Sequence, residues 1–344
     1  MMRATIKDVA KRANCSITAV SFAFNGKADK ISEETLHHIQ TAAKDLDYRP
    51  NKLAAGLATG QSRTIGLIIP DNRNPFFGTI LNYVEDYADK AGFRVISGNT
   101  GDCIAKDLEY IDALLSYCTA GLVIVRSNSG SSEEQERLLN RIRHLSIPTV
   151  AIDRRIVGSD IPTFVVDNRL GGYLATEHLL KLGHRRIGCY SGPLYALSAQ
   201  MRLEGYKNAL EEYGVPFCEE LVFEGNYQIS SDDAPSRFFF ERGVTAVFAH
   251  NDMQAYGLYR YAQAYGQRIP QNLSIVGFDD LDFSTILTPT LTSIRYPLET
   301  LTKDAVQHLI NLIGNGGKEG NATEHYTKYA PELVVRQSVQ RLNG

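Results

Sequence analysis

The sequence has few cysteines, no visible secretory-signal pattern and no long apolar run. Its five cysteines are odd in number, stand far apart and include no CxxC pair; they are Cys15, Cys103, Cys118, Cys189 and Cys218. This usage is typical of a reduced, cytoplasmic protein. No basic and then apolar segment follows Met1, and apolar runs such as 246–249 are far too short to cross a bilayer. We therefore expect a cytoplasmic protein that does not enter a membrane.

Catalytic and metal-binding signatures are also missing. The sequence has no GxSxG, P-loop or HExxH motif, and no GxGxxG follows a strand. Its eight histidines have no metal-ligand spacing beside cysteines or carboxylates. The acidic group at Asp279, Asp280 and Asp282 could suggest a cation site, although a lone acidic loop is more often solvated or ligand-binding. The sequence therefore predicts no catalytic residue, no metal and no cofactor, and so no enzyme.

The length and the distribution of charge indicate two unlike parts. With 344 residues, 43% of them hydrophobic, the chain is too long for one small core. Residues 1–60 hold nine Lys/Arg and six Asp/Glu, a net charge of +3, and the remainder holds 27 and 33, a net charge of −6. A basic head on an acidic body is compatible with a DNA-binding head joined to a sensor body.

Residues 5–48 predict three short helices. Thr5, Ser16 and Ser32 can each cap the start of one helix, because their hydroxyl oxygens can accept hydrogen bonds from backbone N–H groups. Apolar residues recur at helical spacing inside each segment, with Val20 as the buried anchor of the second. This pattern predicts a small, entirely helical head.

Pro50 disfavours continuation of the third helix, so residues 1–49 form the head and 50–61 a hinge or linker. From residue 62 to residue 344, short apolar strands alternate with amphipathic helices. The predicted strands are Thr64–Pro70, Phe93–Gly98, Gly121–Val125, Thr149–Asp153, Phe164–Asp167, Arg186–Ser191, Ala246–His250 and Ser274–Asp279. The alternation predicts an α/β body of two doubly wound lobes, each with a parallel sheet covered by helices.

Polar side chains at the carboxyl ends of these strands indicate a ligand-binding crevice. Asp153, Asn251 and Asp279 follow strands, and Arg202 lies at the start of a helix. Carboxylate, guanidinium and amide groups exchange paired hydrogen bonds with the vicinal hydroxyls of a sugar. Aromatic rings suit the apolar face of a pyranose, and the candidates are Phe76, Phe77 and Tyr227.

Structural alternatives remain for several residues near this crevice. Asp252 can cap the helix that follows it, Arg154 can bridge the lobes without touching a ligand, and Phe77 can belong to the core.

An ordered set of motifs runs through the whole chain. It comprises TIKDVAKRANCSITAVSFAFNGK (5–27), NPFF (74–77), HLLKLGHRRIG (178–188), SAQMRLEGY (198–206), FAHNDMQAYG (248–257), IVGFDD (275–280) and PELVVRQS (331–338). In content and order this set resembles the lactose-repressor family of bacterial transcription regulators. The resemblance implies a helix-turn-helix head, a two-lobed body like that of periplasmic binding proteins, and a homodimer.

The resemblance also implies that the chain crosses three times between the lobes. We place the crossings near Ile161, Pro289 and Asn321. This placement assigns residues 62–161 and 290–321 to lobe one, and 162–289 and 322–344 to lobe two. The chain has no leucine heptad tail after PELVVRQS, so we expect a dimer rather than a tail-assembled tetramer.

A helix-turn-helix places the start of its second helix in the major groove. By matching positions, the resemblance implies contacts on or near bases for Ile17, Thr18, Ser21, Phe22 and Asn25. It implies phosphate contacts for Thr5, Ser16, Ser32 and Thr35. Relatives often carry an arginine where this chain has Phe22, so an apolar contact, or partial packing, is expected here in place of guanine recognition.

The linker has its own expected role. The family inserts one leucine from each subunit into the minor groove at the operator centre, and Leu57 matches that position. Ala54 allows close approach and Asn51 caps the hinge helix, whereas Ala58 stands where relatives often have a basic residue. The alternative is an ordinary tether whose Leu57 packs on its own body.

For the body, the resemblance implies effector contacts by Asp153, Ser198, Arg202, Asn251 and Asp279. The function it implies is repression of carbohydrate-utilisation genes from a near-palindromic operator, with affinity modulated by a small sugar. Two alternatives stay open: a purine- or nucleoside-responsive regulator, and a sugar-binding protein without a regulatory role.

Overall fold

A computed structural model describes residues 4–24, 27–49, 62–316 and 326–342. Its contacts separate a small N-terminal head from a larger body. Four residues with predicted DNA contacts lie outside the described residues, namely Asn25, Asn51, Ala54 and Leu57. The predicted hinge therefore stays a prediction from the sequence.

The head consists of helices α1 (Ile6–Arg12), α2 (Ile17–Phe24) and α3 (Glu33–Asp45), with a 3₁₀ turn at Ala28–Lys30. These are the three predicted helices. Their apolar faces meet in one small core, whose buried members are Val9, Ala10, Val20, Ile39, Ala42 and Ala43. The core holds the three helices together and leaves the start of α2 on the surface.

The body alternates strands and helices, as the sequence predicts. Its strands are β1 (Thr64–Ile69), β2 (Arg94–Asn99), β3 (Gly121–Ile124), β4 (Thr149–Ile152), β5 (Thr163–Val166), β6 (Ile187–Ser191), β7 (Val222–Glu224), β8 (Ala246–Ala249), β9 (Ser274–Asp279), β10 (Thr292–Arg295), β11 (Tyr326–Tyr329) and β12 (Glu332–Val334). Its helices are α4 (Pro75–Lys90), α5 (Ile104–Ser116), α6 (Ser132–Arg143), α7 (Asn168–Lys181), α8 (Leu197–Glu212), α9 (Ala234–Glu241), α10 (Asp252–Ala264) and α11 (Leu298–Gly314).

The strands form two six-stranded sheets, one in each lobe. Lobe one has the order β11-β5-β4-β3-β1-β2, and every pair in it is parallel. Lobe two has the order β12-β10-β9-β8-β6-β7, in which only the β10–β12 pair is antiparallel. Parallel strands buried on both faces explain the continuous apolar runs of the sequence.

Four strands escaped prediction: β7, β10, β11 and β12. Three of them lie at sheet edges, where one side of the strand has no partner. The edge strand β11 reads YTKY and is half-exposed or exposed along its length. Short, polar segments of this kind carry no apolar run, so only pairing with a neighbour defines them as strands.

The three crossings between lobes fall later than the predicted positions near Ile161, Pro289 and Asn321. Strand β5 still pairs with β4 in lobe one, and β10 still pairs with β9 in lobe two. Strand β11 pairs with β5, so the chain stays in lobe one until Tyr329. The chain therefore crosses between β5 and α7, between β10 and α11, and between β11 and β12. The predicted crossing positions were too early because hydrogen-bond pairing assigns each short strand to its sheet. The sequence pattern does not specify this pairing.

Among the described residues, no helix combines the length and the apolar character that a membrane span requires.

Candidate DNA-binding face and effector cleft

The start of α2 presents an exposed apolar side chain together with a polar one. Ile17 is 46% exposed and Thr18 is exposed beside it, while Val20 on the opposite side is fully buried. Ser16 caps the helix, because its Oγ accepts a hydrogen bond from the backbone N–H of Ala19 at 3.1 Å. The cap holds the first turn of α2 in place, so Ile17 and Thr18 are presented on a rigid element.

The predicted phosphate-contacting hydroxyls stand at helix starts. The Thr5 hydroxyl donates to Asp8 at 2.7 Å. The Ser32 Oγ accepts the backbone N–H of Thr35 at 3.2 Å and lies 2.8 Å from the Thr35 hydroxyl. Helix starts carry free N–H groups and a positive dipole end, which suits phosphate oxygens.

Further along α2, Ser21 and Phe22 are both half-buried. The ammonium of Lys30 lies 5.8 Å from the centroid of the Phe22 ring. Phe22 thus combines partial packing with a ring face that a cation approaches.

Arg202, the centre of the predicted effector site, is held from three sides. Its Nε donates to Asn168 Oδ1 at 2.7 Å, and one Nη donates to the carbonyl oxygen of His250. Its guanidinium lies over the Phe278 ring, with Cζ 3.6 Å from the ring centroid. Arg202 is only 4% exposed, and its other Nη donates no hydrogen bond to any described residue. The group is therefore oriented in advance and still has a donor for a ligand.

Asp279 is the buried carboxylate on the same side of the cleft. It is 8% exposed, and within the described ranges its side chain accepts no hydrogen bond. Burial raises its pKa well above the ordinary value; Arg202 opposes this shift, while the charges of Asp252 and Asp153 add to it. A buried carboxylate with no donor is unfavourable by itself, and a ligand hydroxyl would supply one.

Asp153 belongs to lobe one and lies within the electrostatic reach of Arg202. Its Oδ1 accepts the hydroxyl of Tyr296 at 2.8 Å, and its pKa is raised, chiefly by burial. Asp153, Tyr227 and Asp279 all have positive φ values, of 67°, 65° and 106°. Non-glycine residues rarely adopt this conformation, and such backbone strain concentrates at functional sites.

The predicted aromatic residues divide between core and cleft. Phe76 and Phe77 are 4% and 5% exposed, pack against each other, and belong to the main core. Tyr227 is half-buried, and its hydroxyl lies 3.1 Å from the Ser198 Oγ. Of the three rings, Tyr227 also lies near Arg202, whose Cζ is 5.8 Å from its centroid.

Asn251 is engaged at both ends of its amide. Its Oδ1 accepts the backbone N–H of Gln254 and so caps α10, and its Nδ2 donates to the Tyr227 carbonyl oxygen at 2.8 Å. The adjacent Asp252, which the sequence suggested as a possible cap, instead accepts hydrogen bonds from Leu281, Ser284 and Ser293. Asn251 therefore holds Tyr227 and α10 in register, and its contact with an effector stays a prediction.

The sequence missed three residues that build this site: Asn168, His250 and Tyr296. Asn168 follows β5 closely, so the rule of polar residues after strand ends could have found it. Tyr296 follows β10, a strand that escaped prediction. His250 contributes a backbone carbonyl to Arg202, which no side-chain pattern reveals.

A cavity of about 240 Å³ opens between the lobes beside these residues. Arg126, Asp153 and Arg154 line it from lobe one, and Asn168 and Ser198 from lobe two. Of the predicted effector residues, Asp153 and Ser198 line the cavity itself. Two of the lining residues connect the cavity to Arg202. Asn168 binds Arg202 directly, and Asp153 lies within its electrostatic reach.

Comparison with known proteins agrees with the division into head and body. Residues 5–51 match the family model described as bacterial regulatory proteins, lacI family, and residues 176–339 match a periplasmic binding protein-like domain. The HTH-type transcriptional repressor PurR of Vibrio vulnificus is 32% identical over 99% of this chain and 100% of its own length.

Two solved structures are similar along most of the chain. The lac repressor dimer bound to operator and the anti-inducer ONPF has a TM-score of 0.82 at 25% identity, covering 98% of this chain and 100% of that one. A LacI family transcriptional regulator from Enterococcus faecium with bound ribose has a TM-score of 0.71 at 29% identity, covering 81% and 100%. This chain therefore belongs to the LacI family, and it is a DNA-binding transcription repressor rather than an enzyme.

Proposed function

We propose that the protein represses its target genes under the control of a small sugar, or sugar derivative, bound between the two lobes. The observation that carries this proposal is the buried guanidinium of Arg202 within electrostatic reach of the buried carboxylate of Asp279. Both are buried, Arg202 is held by Asn168 and the His250 carbonyl oxygen, and both keep hydrogen-bonding capacity that no described protein group uses. A guanidinium donor beside a carboxylate acceptor suits a molecule with adjacent hydroxyl groups. The similar Enterococcus faecium regulator contains ribose.

In this proposal, Asp153, Ser198 and Tyr227 complete the polar wall around the ligand. Asn251 supports Tyr227 and α10, while Phe76 and Phe77 are buried in the core, so that of the three predicted rings we propose only Tyr227 for the apolar face of the sugar. The site draws on residues of both lobes. A ligand that contacts both lobes therefore favours closure of the cleft, and closure changes the separation of the lobes.

On the operator side, Ile17 and Thr18 contact bases, with Ser21, Phe22 and Asn25 nearby. Thr5, Ser16, Ser32 and Thr35 contact phosphates, while Asn51, Ala54 and Leu57 form the hinge contacts in the minor groove. Two chains act together as a homodimer on a near-palindromic operator in the cytoplasm, since a two-fold dimer imposes its symmetry on the site. The similar lac repressor is a dimer on its operator.

The direct test measures ligand binding by thermal shift and operator affinity by fluorescence anisotropy. A panel of mono- and disaccharides is screened first, because a true ligand at 100 times its Kd stabilises the protein by about 2.7 kcal/mol. Arg202→Gln and Asp279→Asn should each weaken binding at least ten-fold, since hydrogen bonds to charged groups contribute about 1.5–3 kcal/mol. Asp86→Asn, exposed on α4, is the control and should bind normally. Binding by both cleft variants within two-fold of the wild type would contradict the site.

A purine- or nucleoside-responsive repressor is the second candidate, because the curated relative at 32% identity carries the name PurR. The same screen therefore includes purine bases and nucleosides. Binding of a purine, with no response to any sugar, would replace the first proposal by the second.

A further inference from the structure

The lobe-one wall of the cavity carries three guanidinium groups. Arg126 comes two residues after β3, and Arg154 and Arg155 come two and three residues after β4. All three line the same cavity of about 240 Å³. Recognition of hydroxyl groups does not require three cations on one wall. We therefore ask which negatively charged groups these arginines bind.

Only one of the three has a carboxylate partner among the described residues. Arg154 pairs with Asp102, and its Nε lies 3.7 Å from Asp153 Oδ2. Arg126 donates its Nε to the carbonyl oxygen of Ser127 at 2.9 Å, and Arg155 lies over a tyrosine ring. Among the residues that the structure describes, neither Arg126 nor Arg155 forms an ion pair.

Arg126 is half-buried beside another arginine. Burial, first, and the neighbouring charge of Arg154 lower its pKa, whereas the charges of Asp107 and Asp102, neither of which forms an ion pair with it, oppose the shift. Its Nε is bound to Ser127, and the Arg154 guanidinium donates to the Arg126 carbonyl oxygen at 3.0 Å, so the two arginines are held close together. An anion in the cavity would remove this repulsion.

We infer that the effector carries a phosphate monoester and that Arg126 and Arg155 bind it. This inference rests on the proposed function and names the ligand class of the same site. Two guanidinium groups without carboxylate partners match a phosphate monoester, which carries a charge of about −1.5 to −2 near neutral pH. Guanidinium groups bind phosphate through two parallel hydrogen bonds, which a hydroxyl cannot provide. The rest of the effector extends past Asp153 and Asn168 toward Arg202.

The experiment compares matched ligands with the full-length protein by isothermal titration calorimetry. The pairs are glucose and glucose 6-phosphate, ribose and ribose 5-phosphate, and inosine and inosine 5′-monophosphate, with inorganic phosphate as the anion alone. The phosphorylated member of at least one pair should bind ten-fold or more tightly than its neutral partner. Inorganic phosphate should bind weakly and compete with it.

Variants then assign the preference to residues. Arg126→Gln and Arg155→Gln should each reduce the phosphate preference, the ratio of the affinity for the phosphorylated ligand to that for its neutral partner, at least ten-fold. Arg137→Gln is the matched control, because Arg137 is exposed on α6 and does not line the cavity. Arg155 is exposed, so its variant should fold normally even if the half-buried Arg126 does not tolerate substitution.

The outcomes separate this inference from the proposed function. If neutral sugars bind as tightly as their phosphates, the sugar proposal stands and the phosphate site is wrong. If only the inosine pair binds, the sugar proposal fails, while the ratio within that pair still decides the phosphate site. Tighter binding of glucuronate than of glucose 6-phosphate would overturn the phosphate assignment in favour of a carboxylate. The absence of any effect of inorganic phosphate or of any phosphorylated ligand would also overturn it.

Discussion

Two fully buried aspartates hold the loops that carry the effector site. In lobe one, Asp107 accepts hydrogen bonds from the backbone N–H and the hydroxyl of Ser127, at 2.8 and 2.7 Å, next to Arg126. In lobe two, Asp252 accepts the backbone N–H of Leu281 at 2.8 Å, two residues beyond Asp279. Burial raises the pKa of each aspartate to about 6, although its donors oppose the shift. Each lobe thus uses one buried carboxylate to position the end of a neighbouring strand.

The raised pKa of Asp107 predicts a pH dependence of stability. Its folded pKa of about 6 exceeds the ordinary value of 3.8, so its contribution is fully present below pH 4 and is lost as the pH rises through 6. Asp107→Asn does not titrate. The stability of the wild type relative to this variant should therefore fall by roughly 2–3 kcal/mol between pH 4 and pH 7. Urea unfolding at several pH values measures it, and a difference that is constant with pH would contradict the assignment.

At the scale of elements, α2 separates DNA contact from stability within a few residues. Ile17 is exposed at the start of the helix and Val20 is buried in the core of the head. We predict that Ile17→Ala leaves the melting temperature of the head unchanged and lowers operator affinity several-fold. Val20→Ala should destabilise the head by about 1–3 kcal/mol, because it leaves a cavity.

Circular dichroism melting and operator anisotropy, measured on both variants, distinguish the two effects. Unchanged operator binding by Ile17→Ala would contradict the proposed base contact of Ile17.

Helices α7 and α8 approach each other closely at glycines, and this contact positions Arg202. A Cβ atom at Gly205 would lie 2.0 Å from the Arg169 carbonyl oxygen, and one at Gly172 would lie 2.2 Å from the carbonyl oxygen of Arg202. Neither distance is possible without moving a helix backbone. The two glycines therefore set the distance between the helix that carries Arg202 and the helix that begins with Asn168.

We predict that Gly205→Ala destabilises the body by about 2–3 kcal/mol through overpacking and weakens effector binding, because α8 must shift. Gly78→Ala in α4 is the control: no atom lies within 4 Å of its added Cβ, and alanine favours a helix over glycine by about 1 kcal/mol. The control should be neutral or stabilising, and both variants are compared by urea unfolding and effector titration. Normal effector binding by Gly205→Ala would show that the close contact at this glycine does not position the effector site.

At the scale of the whole body, the three crossings between lobes lie side by side next to the effector site. Asp167 lies in the first crossing, and its backbone N–H donates to the carbonyl oxygen of Tyr329, which comes just before the third crossing. Tyr296, in the second crossing, accepts the N–H of Val166 and donates to Asp153. Arg202 binds Asn168 just after the first crossing. A ligand that engages Asp153 and Arg202 therefore acts directly on the segments about which the lobes can move.

Removal of residues 1–60 should abolish operator binding and leave effector binding intact. The physical reason is that both sheets and the cleft are built entirely from residues beyond this segment. Effector titration and operator anisotropy with the shortened chain measure both properties. Loss of effector binding by a body that keeps its melting transition would show that the head contributes to the cleft.

The sequence by itself determined the helices of the head, eight of the twelve strands in the described part of the chain and the residue types expected at the cleft. These features follow from local periodicity, helix caps and polar residues after apolar strands, all of which are properties of neighbouring residues. Only the tertiary structure decided the sheet of each short edge strand, the true crossings, and the support of Arg202 by Asn168, Phe278 and the His250 carbonyl. Such pairings join residues far apart in the chain, and their energies depend on burial and distance. No local pattern encodes either quantity.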